Sequence, residues 1–130
     1  MSYYFNTILK EKNFDKAIEI VTAALKKEGF GVLTEIDVTE TLKKKIDVDF
    51  KKYRILGACN PEFAHKALKS EDKIGVFLPC NVIVEENDNG NIEVSAVDPI
   101  SSMQAAKNDS LEEIATEVQQ KLKNIINSLN

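Results

Sequence analysis

Between Ile74 and Glu85 nearly every residue is apolar, and the run leads through Asn87-Asp88-Asn89-Gly90 into a second apolar stretch, Ile92 to Val97. A run of that kind must be covered on both faces, so it predicts a central strand. Asn, Asp and Gly tolerate positive φ and predict a hairpin turn at 87–90. Pro79 lacks an N–H, so the ladder must bulge or bend where it falls. The rest of the chain has to cover this hairpin.

It has the means to do so. Residues 3–10 read as a strand, aromatic and β-branched. Asn13 caps a helix whose apolar stripe is Phe14, Ala17, Ile18, Val21, Ala24 and Leu25, and Gly29 ends it. Residues 31–38 alternate as a half-buried strand, with Val32, Thr34, Ile36 and Val38 on one side. A short helix from Thr39 or Thr41 carries Leu42 and Ile46, and a third strand runs from Lys52 to Cys59. Asn60-Pro61-Glu62 starts a further helix through a cap, a first-turn proline and an acid at the positive dipole end. Ser101 to Asn108 reads as irregular. Ser110 and Glu113 form a capping box for a last helix burying Leu111, Ile114, Ala115, Val118, Leu122, Ile125, Ile126 and Leu129. The fold class expected is α/β (α+β): one two-layer domain over 1–130, in the order β-α-β-α-β-α-β-β-α, with a mixed five-stranded sheet.

Two short segments echo each other at the strand ends: Gly57-Ala58-Cys59-Asn60-Pro61 and Leu78-Pro79-Cys80-Asn81. If strands 52–59 and 74–85 are parallel neighbours joined by helix 61–71, Cys59 meets Cys80. The hairpin then pairs Val84 with Ile92 and sets Leu78 opposite Asp98. Cys59, Asn60, Cys80, Asn81 and Asp98 gather at one end of the sheet, beside a helix start that favours anions and thiolates. These five residues, with His65 on the adjacent helix, are the candidate ligand-binding set. Each also has a plain structural role to weigh against it: core thiols, a helix cap, a proline-kink amide, a turn aspartate and a surface histidine.

Composition excludes more than it selects. The net charge is −4 and Arg54 is the only arginine, so nucleic acid is not an expected partner. No window reaches the ~20 apolar residues that cross a membrane. The start, Met1-Ser2-Tyr3-Tyr4, has no leader character, and a cytoplasmic location with reduced cysteines is expected. One histidine and two distant cysteines give no zinc spacing. Gly29-Phe30-Gly31 lacks the third glycine of a dinucleotide fingerprint, and there is no nucleophile elbow.

The segments Glu28-Gly29-Phe30-Gly31-Val32-Leu33-Thr34-Glu35-Ile36-Asp37-Val38, Tyr53 to Pro61, Leu78 to Val82 and Ser95 to Pro99 stand in an order that resembles the domain-of-unknown-function 302 family, small bacterial and archaeal proteins with no established activity. The resemblance spans essentially the whole chain. It implies an α/β fold with a mixed sheet and a homodimer; it assigns no catalytic residue and leaves any cofactor unknown. Independently, the aromatic start Tyr3-Tyr4-Phe5 and the apolar rows of the two long helices predict a homo-oligomer.

Three readings follow for function. The first is a small-molecule or ion-binding module with its pocket near Cys59, Cys80 and Asp98. The second is a thiol-dependent enzyme or redox protein using Cys59 or Cys80. The third is a structural or protein-interaction domain whose cysteines are core. The first stands ahead, because a thiol enzyme needs a base that the motifs do not supply.

Overall fold

The computed structural model describes residues 2–130; Met1, where the sequence reading began the domain, lies outside the described residues. Five strands, β1 (Tyr4–Ile8), β2 (Gly31–Asp37), β3 (Tyr53–Cys59), β4 (Cys80–Glu86) and β5 (Ile92–Val97), form one sheet in the order β1-β5-β4-β3-β2. Five helices accompany them: α1 (Phe14–Lys27), α2 (Val38–Ile46), α3 (Pro61–Ser70), α4 (Pro99–Met103) and α5 (Asp109–Ser128). Asn13 caps α1 by accepting from Lys16 N at 3.0 Å, and Gly29 takes φ +86° just beyond its end.

The sheet is antiparallel throughout, not mixed. The expected strand 74–85 accounts for the difference. Its first part, within Asp72–Phe77, is a 3₁₀ turn, and the ladder opens only at Cys80, directly after Pro79, which has no N–H to give. The chain therefore leaves β3 and re-enters β4 at the same end of the sheet, and Cys80 pairs with Ala58 where the parallel register expected Cys59. The hairpin register also differs by two residues: Glu86, not Val84, faces Ile92. Asn87 N bonds Asn91 O at 2.8 Å and Gly90 N bonds Asn87 O at 2.8 Å, so Glu85 and Glu86 stay in the strand. A shift of two keeps every side chain on its face.

Three local boundaries also differ from expectation. A bulge between Val32 and Thr34 interrupts the alternation of β2 and leaves Leu33 69% exposed. Asp37, accepting from Glu40 N, caps α2 ahead of either threonine, and Asn108, accepting from Ser110 N, caps α5 in place of Ser110. The segment expected to be irregular holds the end of α4 and a 3₁₀ turn, Gln104–Ala106.

One face of the sheet is covered. Leu56, Ala58, Val82, Val84, Val94 and Ala96 meet Ala17, Val21 and Leu25 of α1 and Val118, Leu122 and Ile125 of α5. The buried rows of the two long helices thus face the sheet inside the domain. A smaller cluster of Ala67, Ile74, Met103, Leu111 and Ala115 ties α3 and α4 to α5. The opposite face of the sheet carries no helix and remains open around Tyr53, Asn81, Ile83, Ser95 and Val97. Among the described residues, no helix is long and apolar enough to cross a membrane.

Candidate functional site

Where β3 ends and β4 begins, a cavity of about 290 Å³ opens between the sheet, α3 and the first half of α5. Ala58, Cys59 and Cys80 come to it from the strand ends, Phe63, Ala64 and Ala67 from α3, and Ile114 and Val118 from α5. Phe30 closes one side and Met103 another. Cys80 sits across from Ala58 on the covered face, and Cys59, the last residue of β3, reaches the same cavity from the strand end. Gly57 lets Pro79 and Thr34 pack closely against β3. A Cβ there would lie 2.9 Å from Pro79 Cγ and run into Thr34 Oγ1.

The lining is apolar, with few polar atoms and no ionic group among the lining residues. Thr34 brings a hydroxyl, Cys59 a half-buried thiol, and Asn60 an amide. Asn60 occupies the cap position of α3, but its side chain makes no capping hydrogen bond. Its Nδ2 instead reaches Glu28 O at 3.5 Å, beside Gly29, where any side chain would crowd it. Cys80 is 9% exposed. Burial, and secondarily the neighbouring Cys59, push its thiol up to about 11, so at neutral pH it is protonated and a poor nucleophile. Both cysteines are free.

The six candidate residues separate into three groups. Cys59, Asn60 and Cys80 line the cavity. Asn81, next to Cys80 on an alternating strand, faces the open side of the sheet and lines a different hollow. Asp98 and His65 do not line the cavity. Asp98 is the cap of α4: its Oδ1 accepts from Ile100 N at 3.0 Å and from Gln119 Nε2 at 3.1 Å. His65 is exposed on α3, so no imidazole adjoins the thiols. Among the described residues no group of three or more His, Cys, Asp or Glu is placed to hold a metal ion.

Thr34, Phe30, Phe63 and Met103 were not among the candidates. Phe63 was legible as the buried stripe of its helix, and Phe30 follows the glycine that turns the chain toward β2. Thr34 stood in the alternation of its strand, but nothing in the sequence marked it or Met103 as lining a pocket; they arrive through the β2 bulge and α4.

Comparison with known proteins agrees with this architecture. The crystal structure of the uncharacterized conserved protein DUF302 from Bacillus stearothermophilus superposes with a TM-score of 0.92 at 28% sequence identity, each chain covered over 100% of its length. No curated protein matches the chain. The model of the family described as "Domain of unknown function DUF302" matches residues 5–129, and the chain accordingly belongs to that family.

Proposed function

We propose that the chain is a small-molecule-binding module whose site is the cavity at the β3–β4 strand ends. The observation that carries this reading is the character of that space: about 290 Å³, apolar, and free of ionic lining groups. It is roughly twice the ~150 Å³ of an apolar cavity able to hold benzene, and close to the lower end of the ~300–1,000 Å³ range of ligand pockets. Such a site suits one ring or a short aliphatic chain with a single neutral polar function. Thr34, Asn60 and Cys59 orient that function through weak hydrogen bonds, and the absence of ionic groups favours a neutral occupant over an ion.

The thiol-enzyme reading draws less support. Cys80 holds its proton well above neutrality, and the one histidine lies away from both sulfurs. A nucleophile needs a depressed pKa or an adjacent base.

A homodimer belongs to the same proposal, with its interface at the β2 edge and α2. Although α2 carries Val38, Leu42 and Ile46 at four-residue spacing, none of its residues is buried. So short a helix is marginal without packing. Ile46 is 62%, Ile36 48% and Val48 41% exposed. Charges of both signs flank this strip in the pairs Lys43–Asp47 and Lys44–Glu40, so the patch meets its own copy without net repulsion. Light scattering at micromolar concentration is expected to give twice the 14.5 kDa chain mass. Ile46→Asp should return the monomer, and a wild-type monomer removes the dimer.

Native mass spectrometry tests the binding reading. Protein purified without denaturant is expected to carry a small neutral molecule, or to take up indole stoichiometrically, and Ala64→Trp should abolish both by filling the cavity. A bare wild-type mass that indole does not change overturns it.

A further inference from the structure

The chain has only two cysteines, both are free, and both line the cavity at the β3–β4 strand ends. Cys59 closes β3 and Cys80 opens β4 at the same end of the sheet. Cys80 pairs with Ala58, the residue before Cys59. With strands about 4.8 Å apart and a rise of about 3.4 Å per residue, their Cα atoms stand roughly 6 Å from each other. Alternation along β3 turns neighbouring residues to opposite faces, but Cys59 is the last residue of the strand, and it lines the same cavity as Cys80. The two groups also sense each other: burial first, and Cys59 second, raise the Cys80 thiol. A third sulfur belongs to this space, because the buried Met103 lines it as well.

Two thiols in an apolar cavity select an occupant by charge and by softness. No lining residue is ionic, so a bound species that leaves net charge behind is costly there. A monovalent soft ion held by two thiolates carries a net charge of −1. Zinc takes four ligands, and the cavity offers two thiols and no imidazole. A soft divalent ion content with two sulfurs in line leaves a neutral unit. Such an ion also bridges sulfurs that stand too far apart, or point too far from each other, for a disulfide.

From these observations we infer that Cys59 and Cys80 form a two-thiolate site for a soft divalent metal ion of the mercuric type, in a cavity whose wall also holds the Met103 thioether. Soft metals prefer thiolate and thioether donors. Two S–H bonds break and two metal–sulfur bonds form. Both protons go to solvent, and no electron changes hands. The inference shares its cavity with the small-molecule reading but does not rest on it: indole uptake tests that reading, and mercuric ion tests this one.

Mercuric chloride, added to the reduced full-length chain, is the probe. Native mass spectrometry is expected to show one mercury per chain with two protons lost, and an aromatic disulfide reagent should find both thiols blocked at one equivalent. Added glutathione separates a two-thiolate site from an ordinary single-thiol adduct. Cys59→Ser should release its mercury at a glutathione concentration about a hundredfold below that needed for the wild type, since the second sulfur acts at the high effective concentration of a linked ligand. Cys59→Ala gives the same comparison with no hydroxyl in the cavity. Melting temperature then separates a site built by the fold from chelation by the unfolded chain: one equivalent of mercury should raise it in the wild type and leave it unchanged in Cys59→Ser. Two mercury ions per chain, chains bridged by mercury, equal release from wild type and variant, or a wild-type melting temperature that stays still or falls overturns the inference.

Discussion

Cys80 keeps its proton to about 11 in place of the ordinary 9.0, chiefly through burial and then through Cys59. Below pH 9 folded and unfolded chains both hold that proton, and stability does not depend on it. Between 9 and about 11 the unfolded thiol has ionised while the folded one has not, so stability falls as pH rises. The loss totals about 2–3 kcal/mol. Urea unfolding from pH 8 to 11 should show the decline in the wild type and much less of it in Cys80→Ala. Burial also raises Tyr53 from 10.0, so a decline of the same sign above that value should persist in both proteins. Gly57 offers a second test. A methyl group there meets Pro79 and Thr34 Oγ1, and Gly57→Ala should cost about 1–3 kcal/mol, partly recovered when combined with Thr34→Ala. Both cysteines line one cavity, but the parallel register that set Cys59 opposite Cys80 is overturned: the ladder is antiparallel, opens at Cys80 and pairs it with Ala58. The division between Cys80 and Asn81 follows from strand alternation once the ladder's start is known. The task given to Asp98 was only half legible: Asp-Pro marks a turn, but Gln119 reaches it from a helix distant in sequence.

At the level of elements, α5 is held by Leu111, Ala115, Val118, Leu122, Ile125 and Ile126, six buried residues at helical spacing. Leu122, fully buried, should cost about 2–5 kcal/mol on truncation to alanine. Glu117→Ala on the exposed face should change stability by no more than about 0.5 kcal/mol. Thermal or urea unfolding of the two variants checks the contrast. Helices α1, α3 and α5 and the hairpin were readable because their periodicity is long and their turn chemistry specific. Strand direction was not. An apolar run such as Ile74 to Leu78 reads as a buried strand, and periodicity over so few residues cannot separate that from the turn it forms, in which only Ile74 is buried and Val76 is 80% exposed. Once those residues form a 3₁₀ turn, β4 starts beside the end of β3 and the sheet becomes antiparallel.

On the scale of the whole molecule, one covered sheet face gives a core and a cavity at its edge, and the bare face carries a tyrosine-lined hollow. The neighbours Cys80 and Asn81 line different spaces, the cavity and the open-face hollow. The central claim is that the cavity beside Cys59 takes up a small neutral molecule. Met103 lines that cavity, and the chain's only other methionine is Met1. Protein labelled with ¹³C at the methionine methyls, with the Met103 signal assigned by Met103→Leu, can be titrated with indole. A Met103 resonance that shifts saturably in the wild type and stays still in Ala64→Trp is the predicted result. A wild-type Met103 resonance unmoved at saturating indole would contradict the account.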